Sequence, residues 1–188
     1  MLILVIMLIL AGVIVANFLV AGEYNKEKVD SSEDIKEVFA LVRDMPPETE
    51  LELLLEYKFK NKNFDSSVLK KIDNRFIGFT TNHSYTILEK IWDYKEYNRV
   101  ENLEKIKFLE KLVIENGFPS VLGLSKFYIR NIYSEEKRNY VLELLIKFSR
   151  INIEKFIEIT ESEINDGDFE YFKNDKKTLE RFLNNENI

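Results

Sequence analysis

The sequence predicts an all-α protein in which an N-terminal transmembrane helix precedes an antiparallel multi-helix domain. Two observations lead to this prediction. Residues 1–22 carry no charged side chain, and Asn17 is the only strongly polar residue among them. Beyond them, apolar residues recur at intervals of three and four between short polar breaks, which is the spacing of amphipathic helices.

The N-terminal segment is long enough to cross a bilayer. Twenty-two helical residues extend about 33 Å, and the hydrocarbon core of a bilayer is about 30 Å thick. A cleavable signal sequence is the alternative, because the small residues Ala21 and Gly22 could form a cleavage site. The apolar run exceeds the usual length of a signal h-region, and no basic residue precedes it, so a retained anchor is favoured.

The residues after the anchor divide into a linker, 23–30, and a helical domain, 31–188. Ser31 and Asp34 resemble a capping box at the start of this domain. Pro47 suits the first position of the next helix. The run that follows it alternates partly like a strand, but its Leu and Glu content favours a helix.

Residues 75–86 are the hardest to interpret. A short helix is predicted before them, capped by Asp65 or Ser66. Phe76, Ile77 and Phe79 are β-prone, so this stretch is predicted to be an irregular loop, with a hairpin as the alternative.

From Ser84 onward the helical periodicity is clear. Caps and breakers predict successive boundaries at Asn116-Gly117, Pro119, Ser134, Asn152 and Asp166-Gly167. Consecutive helices with such short connections should pack as antiparallel neighbours. Six to eight helices are expected in the domain.

A weak internal repeat accompanies these helices. A shift of 32 residues superimposes Glu104 on Glu136 and Leu112 on Leu144, among other pairs. This period is close to the roughly 34 residues of a tetratricopeptide helix pair. The turn of residues 115–119 resembles the inter-helix turn of Sel1-like and tetratricopeptide repeats, although the positions that follow it depart from their pattern. The resemblance implies that the stack could be a short αα-solenoid, and it assigns no family.

Composition excludes several kinds of function. A net charge of −6 disfavours general nucleic-acid binding. The absence of cysteine excludes disulfides and zinc-thiolate sites. His83 is the only histidine, so it cannot form a multi-histidine metal site. No phosphate-binding glycine loop or nucleophile motif is present, and no cofactor, metal or small-molecule substrate is expected.

Two groups of carboxylates could in principle support catalysis. One lies at residues 48–52 and the other at 158–170, but solvated helix faces explain both. The Asp166-Gly167-Asp168 segment lacks the bidentate glutamate of an EF-hand loop, so calcium is not predicted there.

The sequence is also rich in aromatic residues, which make up 13% of the chain. Tyr and Trp are favoured at protein interfaces, although they are also ordinary core residues. The candidate protein-contact residues are Trp92, Tyr94, Tyr97, Tyr128 and Tyr133.

These features predict a membrane-tethered protein-interaction module without catalytic activity, anchored in the cytoplasmic membrane by residues 1–22. Lys26, Lys28 and Lys36 follow the span, which favours a cytoplasmic domain. One alternative is a secreted or periplasmic immunity or inhibitor protein after signal cleavage. Another is a carboxylate-dependent enzyme. The protein partner is not specified by the sequence.

Overall fold

The computed structural model describes residue 40 and residues 45–60, 66–97 and 102–185, and within them all regular secondary structure is helical. This confirms the all-α prediction for that part of the chain. The seven helices are α1 (Pro47–Lys60), α2 (Ser66–Glu96), α3 (Leu103–Glu115), α4 (Phe118–Arg130), α5 (Glu135–Leu145), α6 (Arg150–Glu163) and α7 (Phe169–Asn185).

The predicted membrane anchor, the linker and the Ser31 helix start lie outside the described residues. Within the described ranges, no helix is both long enough and apolar enough to span a membrane.

The chain forms two compact units, residues 1–64 and 65–188. In the first unit, α1 begins where the Glu50 amide donates to the Pro46 carbonyl at 3.0 Å. Leu51, Leu54 and Leu55 are completely or almost completely buried. The ambiguous run after Pro47 is therefore helical, as predicted.

In the second unit, the prediction of a loop or hairpin at residues 75–86 is wrong. Helix α2 continues through this stretch and is broken only at His83, which has φ −134° and ψ 34°. Phe76, Phe79 and Thr80 form one buried face, and the Thr80 hydroxyl donates to the Phe76 carbonyl at 2.7 Å. Burial of this face outweighs the β-propensity of the individual residues.

The turn between α3 and α4 follows the prediction. At the end of α3 the Asn116 N–H donates to the Leu112 carbonyl at 3.0 Å, and the Gly117 N–H donates to the Ile114 carbonyl at 3.2 Å. Gly117 has a φ of +61°, where a side chain would be strained. The Ser134 hydroxyl accepts from the Lys137 amide and so caps α5, as predicted. Helix α6 instead begins at Arg150, after Ser149, so Asn152 lies inside its first turn.

Helix α4 packs against both α2 and α6. Small residues allow this close packing, because Ser120, Gly123 and Ser125 are buried in α4. A Cβ atom added at Gly123 would lie 2.1 Å from the Ser84 Oγ and 2.8 Å from the Tyr85 backbone nitrogen. On the α6 side, Ser125 and Thr160 hydroxyls lie 3.0 Å apart.

Contacts between α4 and α6 run in opposite order along the two helices, since Ser125 meets Thr160 and Tyr128 meets Phe156. These two helices are therefore antiparallel.

Candidate functional site

An open groove lies between the C-terminal half of α2 and helix α5. Its volume is about 460 Å³. The rings of Trp92 and Tyr140 lie 5.9 Å apart and are tilted by 53°. The groove is lined by Trp92, Lys95, Glu96, Glu136, Asn139, Tyr140 and Glu143.

Helical periodicity places Trp92 at this surface. Ile87, Leu88 and Ile91 are completely buried, whereas Trp92 is only partly covered at the edge of their face. The indole N–H donates to Glu96 Oε1, one turn further along α2, at 2.6 Å. This bond holds both the indole and the Glu96 carboxylate at the edge of the groove.

Tyr140 comes from α5 and is 4% exposed. Its hydroxyl donates to Glu110 Oε1 on α3 at 3.3 Å. The ring therefore forms a fixed wall of the groove, since both its packing and its polar end are held. Helices α2, α3 and α5 therefore all contribute to the groove and its wall.

Two lysines show that the aromatic rings attract cations. The Lys95 ammonium lies 3.9 Å from the centre of the Tyr140 ring and 3.5 Å from Glu110 Oε1. The Lys137 ammonium lies 5.4 Å from the Trp92 ring centre. Both distances are within the range of cation–π attraction.

Carboxylates dominate the charge of the groove lining. Three glutamates, Glu96, Glu136 and Glu143, line the groove together with Lys95, and Lys137 lies beside it over the Trp92 ring. Glu136 and Glu143 are exposed, and in the described part of the chain neither makes an ion pair. The groove therefore has an excess of negative charge.

Two buried phenols make the fold sensitive to high pH. Burial, followed by the nearby charge of Glu110, raises the pKa of Tyr140. Burial and a hydrogen bond to Asp175 raise the pKa of Tyr128. Both phenols therefore stay neutral in the folded chain at pH values where exposed tyrosines ionise.

We expect the protein to lose stability as the pH rises above about 10, the ordinary tyrosine pKa. Below that pH both states keep these phenols protonated. Above it the unfolded chain releases protons that the folded chain retains, so unfolding becomes more favourable. Parallel titrations of phenolate absorbance and helical circular dichroism check this. Full ionisation of all nine tyrosines with unchanged helicity would contradict it.

The structure separates the predicted contact residues. Trp92 lines the groove, Tyr94 is partly buried between Lys90 and Lys105, and Tyr97 is 72% exposed at the end of α2. Tyr128 is completely buried, which corrects its assignment as a contact residue: its ring packs in the core against Phe156 and Phe172.

Tyr133 lies on a second surface. It is 75% exposed, its hydroxyl donates to Asp168 at 2.6 Å, and its ring packs edge-to-face on Tyr171 at 5.5 Å. The structure does not bring it to the groove.

Sequence reasoning missed Tyr140, Glu136 and Glu143 as site residues. One signal was available, because Glu136, Asn139, Tyr140 and Glu143 follow the i, i+3, i+4, i+7 pattern of a single helix face. A tyrosine flanked by two glutamates on one face is unusual for a core position.

The acidic stretch of α6 and α7 forms ion pairs. Glu158 pairs with Lys155, Glu161 with Lys176, and Glu170 with Lys173. In the residues that the structure describes, no group of three His, Asp or Glu side chains is placed to hold a metal ion. His83 is partly buried and its ring lies 4.9 Å from that of Phe79.

Comparison of the chain with protein-family models, curated proteins and solved structures gave no match. The function is therefore inferred from the geometry and charge of the groove.

Proposed function

We propose that this chain is a membrane-tethered helical protein-interaction module without catalytic activity, which binds a protein partner through the Trp92–Tyr140 groove. The observation that carries the proposal is the groove itself. It combines the partly exposed Trp92 indole, packed on the buried Tyr140 ring, with exposed glutamates that make no ion pair in the described part of the chain. Aromatic residues in this setting are typical of protein interfaces.

The tether is the uncharged segment 1–22. We place the helical domain on the cytoplasmic side, on the basis of the lysines that follow this segment. Stacked helices with short connections expose surfaces that suit the capture of a partner.

Crosslinking from the groove tests the binding function. A photo-reactive residue replaces Asn139, which lines the groove, and in a matched chain it replaces exposed Lys177 on α7. In the cells that naturally express the chain, illumination should give a discrete adduct from position 139 and none from 177. Equal yields from both positions, or no adduct from 139, would refute the groove as the binding site.

Fractionation of the full-length chain, with protease added to spheroplasts, tests the tether. The proposal predicts an intact chain in the membrane fraction that is protected from protease. A membrane-bound chain cut by protease would reverse the orientation. A soluble chain about 22 residues shorter would refute the tether and favour a secreted helical inhibitor.

A further inference from the structure

We infer that the groove binds an arginine-containing basic segment of a partner protein, with a guanidinium group placed among Glu136, Glu143 and Trp92. This inference rests on the proposed function and specifies the chemistry of the partner. It is carried by the charge, the ring contacts and the dimensions of the groove.

The charge of the lining favours a cationic occupant. Glu136 and Glu143 are exposed, and within the described ranges they lack ion-pair partners. Glu96 is held beside them by the indole N–H at 2.6 Å. Among the described residues, two lysines lie at the groove: Lys95 in its lining, drawn toward Glu110 at 3.5 Å, and Lys137 over the Trp92 ring. The three glutamates remain in excess. An anionic or phosphate-bearing occupant would be repelled, and an uncharged one would leave the carboxylates unpaired.

The aromatic surface of the groove favours arginine over lysine as the bound cation. Lys95 covers the Tyr140 ring at 3.9 Å from its centre, and Tyr140 is buried, so Trp92 is the ring of this pair that a partner can reach. The chain's own Lys137 lies 5.4 Å from the centre of the Trp92 ring. A guanidinium can stack on an aromatic face while its N–H groups form paired hydrogen bonds to a carboxylate, and an ammonium cannot do both. Arginine therefore suits this combination of groups better than lysine.

The size of the groove limits how much of the partner enters it. A volume of about 460 Å³ is near the lower end of small-molecule sites, which range from about 300 to 1,000 Å³. One or two side chains would fill such a space. The partner would therefore present an exposed basic segment rather than insert a whole helix.

The emission of Trp92, the only tryptophan, gives a direct readout. The full-length chain is placed in nanodiscs of uncharged lipid and titrated with a capped octapeptide of alternating glycine and arginine. We expect a saturable change in Trp92 emission that weakens as salt is added. A peptide of alternating glycine and glutamate should leave the emission unchanged.

Two double variants that remove the same charge test whether the arginine peptide binds in the groove. The double variant E136Q/E143Q should weaken the apparent affinity about five- to tenfold, as expected for the loss of two exposed ion pairs. The control E163Q/D166N removes the same charge from the α6–α7 end and should bind like the wild type. Equal affinity of the two double variants would overturn the inference.

The inference can fail while the proposed function stands. An adduct from position 139 together with an unchanged Trp92 emission would refute only the arginine specificity. Failure of both measurements would refute the groove as a protein-binding site.

Discussion

Gly123→Ala is expected to lower the free energy of unfolding by about 3 kcal/mol, the upper part of the range for overpacked cores. A Cβ atom at this position would lie 2.1 Å from the Ser84 Oγ, 2.7 Å from its Cβ and 2.8 Å from the Tyr85 backbone nitrogen. A side-chain rotation can relieve the first contact, but the last one involves the backbone of α2. Helices α2 and α4 must therefore separate. Urea denaturation of the wild type and the variant measures the loss.

Gly78→Ala is the matched control on α2. A Cβ atom at Gly78 meets no heavy atom within 4 Å, and the residue is exposed in a helix. Alanine should therefore raise the free energy of unfolding by about 0.5–1 kcal/mol, through helix propensity alone. If both alanine substitutions had similar effects, the close approach of α4 to α2 at Gly123 would be wrong.

The second large effect is expected at Asp175, which joins three helices. Its Oδ2 accepts from the Tyr128 hydroxyl at 2.6 Å and from the Arg138 Nε at 3.1 Å. The Arg138 and Asp175 side chains are only 13% and 16% exposed. Asp175→Ala would leave a nearly buried guanidinium without its carboxylate and a buried phenol without an acceptor. We expect a loss of about 2–3 kcal/mol, because unpaired buried charges are strongly destabilising.

Glu158→Ala provides the comparison for Asp175→Ala. Glu158 forms an ion pair with Lys155 on the surface, where the two side chains are 66% and 46% exposed. Its loss should change the free energy of unfolding by less than about 0.5 kcal/mol. Thermal or urea denaturation of the two variants measures the difference. Equal small effects would show that the Asp175 network does not hold α4, α5 and α7 together.

Much of the helical order could be predicted because it depends on local signals. Ser134 caps α5 through its own hydroxyl, and Gly117 adopts the positive φ that a residue after a helix often needs. Both signals act within a few residues. Residues 75–86 lack such signals, and their helix depends on burial of Phe76 and Phe79 in the folded unit. Residue propensities alone therefore gave the wrong prediction there.

The site could be predicted only in part. Trp92 and Tyr97 stand near a helix end, where partial exposure is common, and the structure places both near the surface. Tyr128 carries no local sign that it lies between α6 and α7. The contact of Trp92 with Tyr140 joins residues on two separate helices. Periodicity defines the face of each helix but does not determine which faces meet.

The central claim is that the partner covers the groove, and hydroxyl-radical footprinting of the full-length chain tests it most directly. Native membranes that contain the partner are compared with the purified chain in nanodiscs. Trp92 should become protected in the native membranes, while the 75% exposed Tyr133 on the second surface keeps its reactivity. Unchanged reactivity of Trp92, or protection confined to Tyr133, would contradict the assignment of the groove as the binding surface.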